Sequence, residues 1–300
     1  MKKMELMMLK KDNLRFSNAM FNTINYALLA AFMLICVYPF YYVLIYSLSD
    51  PQTVHKGIAL LPSGFTLYNY IQIFELKNIF NAFLISLLRS VIGTIATVVC
   101  CSLFAFVLTK EKMYFRKIIY RLMVFTMYLN AGLIPYYLTV RMYGLRNSFL
   151  VYIIPAAVNA FYVILLKTFM EQLPVSLEES ATIDGAGYLT IFRKLVFPLS
   201  MPIIATIAVF SSVGQWNSWF DNYIFCTGKS LNTLQYILLK YLEDSSRIAD
   251  LYTVTSSGIK PTPDSVRMTM TMIVIFPILL VYPFMQRYFT KGIMLGAIKG

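Results

Sequence analysis

The chain has 300 residues, of which 58% are apolar and 16% aromatic, and its formal net charge is +12. This composition is typical of a protein that crosses a membrane several times, and it excludes a large soluble domain. Lys and Arg flank the apolar segments, where attraction to anionic lipid headgroups explains them, so the charge does not predict nucleic-acid binding.

Six apolar segments follow one another along the chain. Each has about 20 residues or more, enough to cross a hydrocarbon core of about 30 Å. Backbone groups in lipid must pair within their own segment, so an all-α membrane protein with six transmembrane helices is predicted. The segments are residues 25–48, 82–109, 118–140, 149–170, 199–220 and 268–288. Residues 1–24 and 291–300 are then terminal tails of a membrane domain at 25–290.

Basic residues predict the orientation of these helices. Lys and Arg are dense in the N-terminal tail, in the second and fourth connections and in the C-terminal tail. Such short basic segments beside helix ends favour the cytoplasmic side. Both termini and the fourth connection are therefore predicted to be cytoplasmic, and the outer loop at 221–267 lies on the opposite side.

The fourth connection, residues 171–198, is predicted to form two short helices around a turn. Ser176 followed by Glu179 predicts a capping box, and Gly185 predicts the turn that ends the first helix. Pro198 marks the start of the next spanning segment. Four apolar residues recur at helical spacing and predict one apolar face on the second helix: Tyr188, Ile191, Phe192 and Leu195. This pair of helices is either a docking device or an amphipathic element lying on lipid.

The same segment resembles the EAA motif, the coupling loop of ABC importer permeases. That motif runs Glu-Ala-Ala, three residues, Gly, nine residues, then Ile-x-Leu-Pro. Its fixed positions correspond here to Glu179, Ala181, Gly185 and Pro198, with mild departures at Ser180, Leu195 and Phe197. The resemblance implies an ATPase-coupling loop with these residues: Glu178, Glu179, Ala181, Asp184, Gly185, Ala186, Phe192 and Pro198.

Other parts of residues 15–300 are similar to permeases of the maltose-type carbohydrate family. The segments that carry the resemblance are 132–135, 144–147, 215–220 and 281–289. The branch looks like that of permeases for lipo-oligosaccharide, polygalacturonan and rhamnogalacturonan. The resemblance implies the transmembrane fold of type I ABC importers, as a multi-pass protein of a bacterial cytoplasmic membrane.

The resemblance also implies the partners. They are a second permease chain forming a heterodimer, two ABC ATPase subunits and an extracellular sugar-binding protein. This chain would have no catalytic residue, cofactor or metal, because ATP and Mg²⁺ bind to the ATPases. A slim C-terminal tail would reach the ATPases, unless it is disordered, through Lys291, Gly292, Gly296, Lys299 and Gly300.

A path for sugar is predicted at the end of the fifth segment. Aromatic rings and amides suit sugar recognition, and buried amides at membrane depth commonly line wet cavities. The expected path residues are Gln215, Trp216, Asn217 and Trp219, with Asn130, Asn159 and Tyr162 as weaker members. The tryptophans would also suit an interfacial aromatic belt, and the partner chain alone could hold the sugar.

The sequence thus predicts the permease subunit of an ATP-driven oligosaccharide importer that works by alternating access. One alternative is an ABC permease for a different solute, such as a peptide or glycerol phosphate. Another is a secondary carrier, which would need an ionisable group inside the membrane. The one clear group of this kind is Arg89, predicted to reach the outer interface, to join two helices or to face the pore. A membrane scaffold is the third alternative.

Overall fold

The computed structural model describes residues 2–53, 60–75, 78–129, 131–243 and 262–297, with side chains described between residues 20 and 283. Over these ranges the fold is helical, and the only β-type pairing is an isolated antiparallel bridge between Ser49 and Phe65. The helices in chain order are α1 (Lys2–Ser47), α2 (Tyr68–Glu75), α3 (Ile79–Thr109), α4 (Arg116–Thr126), α5 (Leu133–Met142), α6 (Ala160–Met170), α7 (Val175–Ile183), α8 (Tyr188–Ile191), α9 (Phe197–Leu199), α10 (Met201–Asn217), α11 (Phe220–Phe225), α12 (Leu234–Glu243) and α13 (Pro263–Ala297). Short 3₁₀ helices lie at Phe149–Tyr152 and Lys229–Leu231, and a π-helical turn lies at Phe192–Val196.

The described chain divides into two compact units. One contains the residues up to Tyr70 and the beginning of α13 up to Met272, and the other contains the rest. In the first unit the segment after α1 folds back on the helix end. Asn69 Nδ2 donates hydrogen bonds to the carbonyl oxygens of Ser47 and Ser49, at 3.0 and 2.9 Å. These bonds satisfy carbonyl groups that a helix end leaves without partners.

The second unit is built around α3, which packs against α6 and α10. Small and polar residues are buried along α3 and allow neighbouring backbones to come close: Ser86, Gly93, Thr97 and Ser102. Towards its C-terminal end α3 contributes larger apolar side chains to a buried cluster. This cluster includes Phe106, Leu108, Leu166, Met170, Ile191, Phe192, Val196, Ile204 and Ile207. The core therefore lies where α3, α6, α10 and the segment before α10 meet.

Continuous helices of spanning length are fewer than the six predicted. Three described helical stretches are long and apolar enough to cross a membrane, namely Met20–Ser47, Ile79–Thr109 and Pro263–Pro283. Two bent pairs raise the total to five if each pair is one span. They are Ala160–Met170 with Val175–Ile183, bent by 78°, and Tyr188–Leu199 with Met201–Asn217, bent by 81°. The helical prediction is confirmed, whereas the number of spans stays a prediction.

Two of the expected single helices are interrupted. The segment 118–140 is divided between α4 and α5, because Gly132 has a φ of +82° and caps the start of α5. The segment 149–170 begins as a 3₁₀ helix, and α6 starts only at Ala160. There the Asn159 side chain accepts a hydrogen bond from the Tyr162 amide at 3.3 Å. An Asn cap of this kind begins a new helix rather than continuing an old one.

Candidate functional site: the coupling segment and the cavity

The segment 171–198 contains a helix that ends in a tight turn, as the sequence predicts. At the end of α7 the Gly185 amide donates to Thr182 O at 3.0 Å, and the Ala186 amide donates to Ala181 O at 2.9 Å. This pattern is a Schellman motif, which requires a left-handed residue, and Gly185 has a φ of +82°. Asp184 is the capping residue before it.

The start of α7 differs from the prediction. The helix begins at Val175, directly after Pro174, and no side chain caps its first turn. The expected capping box of Ser176 and Glu179 is therefore wrong. Pro174 has an extended ψ of 122°, so the helix starts immediately after it and Ser176 lies inside the first turn. The Ser176 carbonyl instead accepts a hydrogen bond from Ser180 Oγ at 2.8 Å.

The outer surface of this segment exposes apolar side chains. Val175, Ile183 and Leu189 are 68%, 86% and 71% exposed. Glu179 and Gly185 lie on the same exposed stretch. Exposed apolar side chains on these short helices are compatible with both roles expected for the segment, docking on a partner and lying on lipid.

The inner surface of the segment packs into the core. Ile191 and Phe192 are buried, as is Val196, whereas Leu195 is half-buried and Tyr188 is 56% exposed. The predicted apolar face is thus correct in its centre and wrong at Tyr188. The π-helical turn at Phe192–Val196 inserts an extra residue, which rotates the later side chains and buries Val196.

A cavity of about 260 Å³ lies in the second unit, among α3, α6, α10 and the segments beside them. Amide, hydroxyl and aromatic groups border it together with apolar ones. The lining residues are Arg89, Thr97, Pro155, Ala156, Val158, Asn159, Tyr162, Ser211, Gly214, Gln215, Ser218 and Asp221. Its walls offer the kinds of group that bind sugar hydroxyls.

Arg89 is bonded on every side of its guanidinium group. Nε donates to Gln215 Oε1 at 2.9 Å, and Nη1 donates to Ser218 O at 3.0 Å and to Asp221 Oδ1 at 2.9 Å. Nη2 forms an ion pair with Asp221 Oδ2. The guanidinium carbon also lies 4.5 Å from the centre of the Tyr152 ring. Arg89 therefore joins helices, which was one of the roles expected for it, and it also borders the cavity.

The cavity includes some of the predicted path residues. Asn159, Tyr162 and Gln215 line it. The Gln215 amide is already engaged, since Oε1 accepts from Arg89 and Nε2 donates to Tyr152 O at 3.2 Å. Asn159 and Tyr162 are the other predicted path residues in the lining, and the Asn159 side-chain oxygen also caps the start of α6. Sequence reasoning left Asp221 out, because only the fold brings it to Arg89.

The other predicted path residues lie away from this lining. Trp216 is 7% exposed, and its Nε1 donates to Val274 O at 3.1 Å in a contact between helices. Asn217 is exposed, and Trp219 packs on Phe220 and Tyr223. Asn130 lies outside the described residues.

The remaining coupling residues divide between surface and interior. Glu178 is half-buried and forms an ion pair with Lys110, and Ala181 and Ala186 are half-buried against the core. Pro198 lies in α9, just before the bend at Ser200 that leads into α10. In the tail, Lys291, Gly292 and Gly296 belong to α13, while Lys299 and Gly300 lie outside the described residues.

Residues 91–295 match the sequence profile of the family described as "Binding-protein-dependent transport system inner membrane component". The matched range contains the coupling segment and every cavity-lining residue except Arg89. The chain belongs to this family. It is therefore the permease subunit of an ABC importer and not itself an enzyme, and ATP hydrolysis is not a reaction of this chain.

Related proteins match the sequence of the permease over almost its whole length. It is 38% identical to the polygalacturonan/rhamnogalacturonan transport system permease protein YtcP of Bacillus subtilis, over 94% of this chain and 99% of that protein. It is 31% identical to Protein LplC of the same organism, over 93% and 95%. A solved bacterial ABC transporter involved in the import of the acidic polysaccharide alginate superposes with a TM-score of 0.84 at 28% identity. That match covers 91% of this chain and 98% of the other, so the permease fold is shared.

Proposed function

We propose that this permease carries oligosaccharides into the cell as one half of the translocation path of an ATP-driven importer. A second, related permease chain forms the other half. Two ATPase subunits dock on the cytoplasmic side, and an extracellular binding protein delivers the sugar. The observation that carries the proposal is the exposed hairpin of α7 and α8, which a Schellman turn holds in a fixed shape.

The work of this chain is mechanical. ATP and Mg²⁺ bind to the ATPase subunits, and closure of those subunits moves the hairpin. Ile191 and Phe192 transfer the movement, because they are buried in the core beside α3 and α6. The cavity among α3, α6 and α10 then changes its access from one side of the membrane to the other.

The residues that line the cavity and the substrates named for related proteins both favour a saccharide as the transported solute. Asn159 and Tyr162 line the cavity, and sugars are bound by amide and aromatic side chains. Related permeases are named for the import of polygalacturonan and rhamnogalacturonan, and the related transporter structure for alginate. The proposed topology has six spans and cytoplasmic termini in a bacterial cytoplasmic membrane. The spans follow from the six apolar segments, and the orientation follows from the Lys and Arg distribution.

The test is uptake by the assembled transporter in proteoliposomes containing ATP. Pectin-derived and neutral oligosaccharides are offered beside a dipeptide and glycerol phosphate. We expect ATP-dependent uptake of at least one oligosaccharide and none of the other solutes. Uptake of the dipeptide or glycerol phosphate alone would contradict the sugar assignment. Uptake by this chain without ATPase subunits would favour a secondary carrier.

A companion experiment tests the docking surface. Gly185→Lys should prevent copurification of the ATPase, because Lys cannot adopt the left-handed backbone at low cost. Gly187→Lys is the matched control, since Gly187 is equally open but has an ordinary φ of −74°. Equal retention of the ATPase by both variants would contradict the coupling role.

A further inference from the structure

Lys110 connects the end of α3 to the coupling helix α7. It is the residue at which α3 stops, and its Nζ forms an ion pair with the carboxylate of Glu178 on α7. The same Nζ lies 4.0 Å from the centre of the Phe106 ring, one turn earlier in α3. The Lys110 and Glu178 side chains are 16% and 29% exposed, so the pair is partly shielded from water.

A second contact ties α3 to the other arm of the hairpin. The rings of Phe106 and Phe192 lie 5.2 Å apart, and both residues are buried. Phe192 follows α8, whereas Glu178 precedes the turn at Gly185. One end of α3 therefore contacts the hairpin on both sides of its turn, through an ion pair on one side and an aromatic contact on the other.

The same helix reaches the cavity. α3 is continuous over 31 residues, contains no proline and carries Arg89 in the cavity wall. At about 1.5 Å per residue, roughly 31 Å separate Arg89 from Lys110 along the helix axis. A continuous helix without proline lacks the usual cause of a sharp kink, so a displacement at one end can pass to the other.

We infer that Lys110 and Glu178 are a positioning pair that couples α7 to α3 and so carries the movement of the hairpin to the cavity. The inference rests on the proposed function. Two neighbouring carboxylates then have different roles, since Glu178 faces inward to Lys110 while Glu179 is exposed. Only the second is placed to meet an ATPase.

The pair matters for position more than for stability. Ion pairs near a surface contribute little to folding. A lever, by contrast, needs its ends to move together, and coupling between sites commonly amounts to roughly 5- to 150-fold. Loss of the pair should therefore leave a folded permease in which ATP hydrolysis and transport are less tightly linked.

The chain offers a matched control in Lys167 and Glu171. The Lys167 side chain is 15% exposed, pairs with Glu171 and lies 4.7 Å from the centre of the Tyr120 ring. Its burial, charge partner and aromatic neighbour are thus like those of Lys110. The difference is that Lys167 and Glu171 are four residues apart and join no separate element to the hairpin.

The experiment uses the complete transporter in proteoliposomes and measures sugar imported per ATP hydrolysed. Lys110→Glu and Glu178→Lys should each lower this ratio roughly fivefold or more. The double variant restores the ion pair and should recover most of the ratio, and Lys110→Arg should keep it. Lys167→Glu should stay within about twofold of the unmodified transporter. Unchanged coupling in the first two variants, or no recovery in the double variant, would overturn the inference.

A distance measurement tests the positioning separately from transport. Spin labels on Lys112→Cys and Thr182→Cys, both at exposed positions, report the separation of the α3 end from α7. The distribution should broaden in Lys110→Glu and narrow again in the double variant. Because this readout needs no sugar, it stands even if the proposed substrate fails. A narrow distribution in every variant would overturn the positioning role.

Discussion

Gly93 on α3 lies directly against the side chain of Gln215 on α10. A Cβ added to Gly93 would lie 2.7 Å from Gln215 Nε2 and 2.8 Å from its Cδ. The amide cannot turn away freely, since Arg89 holds its oxygen and the Tyr152 carbonyl holds its nitrogen. The absence of a side chain at Gly93 is therefore what lets Gln215 reach Arg89.

Gly93→Ala should destabilise the permease by about 1–3 kcal/mol, because a buried hydrogen bond to a charged group is lost or strained. The measurement is the free energy of unfolding of the purified protein in mild detergent. Gly214→Ala is the control: Gly214 also borders the cavity, but nothing lies within 4 Å of its added Cβ. That variant should be neutral or gain up to about 1 kcal/mol. Equal losses in both would contradict the close-approach argument.

Asp221 neutralises the charge of the buried Arg89 side chain. The Arg89 side chain is 3% exposed, so Asp221→Asn leaves a buried cation without its carboxylate. The expected cost is about 3–5 kcal/mol in the free energy of unfolding. Glu171→Gln breaks the ion pair of a 42% exposed carboxylate and should cost less than about 1 kcal/mol. If Asp221→Asn cost no more than Glu171→Gln, the Arg89 pair would be energetically unimportant.

At the scale of elements, the coupling hairpin depends on one backbone conformation. Gly185 and Gly187 have equally open surroundings, but only Gly185 has a positive φ. A side chain at Gly185 would therefore strain the turn through its backbone, without any clash. Comparing substitutions at Gly185 and Gly187 therefore tests the backbone conformation of the turn and not the space around it.

Gly185→Ala should raise the energy of the turn by about 1–2 kcal/mol, the cost of a left-handed residue with a Cβ. The Ala186 amide, which donates to Ala181 O, should then exchange its hydrogen roughly five- to thirtyfold faster. Hydrogen exchange followed by mass spectrometry measures this rate. Gly187→Ala should leave the rate unchanged, and equal acceleration by both variants would refute the Schellman assignment.

The sequence predicted the end of α7 better than its beginning. Few residues besides Gly favour a left-handed turn, so Gly185 identified the stop. The start was misjudged because Pro174 already begins the helix, which leaves Ser176 inside it. The second apolar face was partly misjudged for another reason. A count of 3.6 residues per turn cannot anticipate the π-helical turn at Phe192–Val196.

The types of residue at the candidate site were predictable from the sequence, but the contacts between them were not. Asn159 and Tyr162 were expected from their chemistry, and both line the cavity. Arg89 stood out as a charge in an apolar segment, but its partner Asp221 is 132 residues away. Trp216 has the same aromatic character in a path or in a core, and its hydrogen bond to Val274 depends on packing that periodicity does not encode.

At the scale of the whole molecule, hydropathy revealed the apolar segments but not their interruptions. The segment 118–140 is mostly apolar, yet Gly132 divides it into two helices. Breaks of this kind are tolerated at membrane depth where protein or a cavity surrounds them. The number of crossings therefore requires a measurement of sidedness rather than of helix length.

Single cysteines can supply that measurement in a variant whose four native cysteines are replaced by alanine. Glu179→Cys and Lys229→Cys are at exposed positions, on the predicted inner and outer sides. A membrane-impermeant maleimide should label Lys229→Cys in intact cells, and Glu179→Cys only after the membrane is permeabilised. Labelling of both from the same side would contradict the proposed topology.

The pairing of Arg89 with Asp221 also has an electrical consequence. These are the two charged residues among those that line the cavity in the described part of the chain, and their charges cancel. A unit charge carried across the membrane would change the energy by about 2.3 kcal/mol for each 100 mV. The wall of this cavity carries no such net charge. Import of a neutral sugar at saturating ATP should therefore proceed at the same rate at 0 mV and at −100 mV, which a potassium gradient with valinomycin can impose on proteoliposomes.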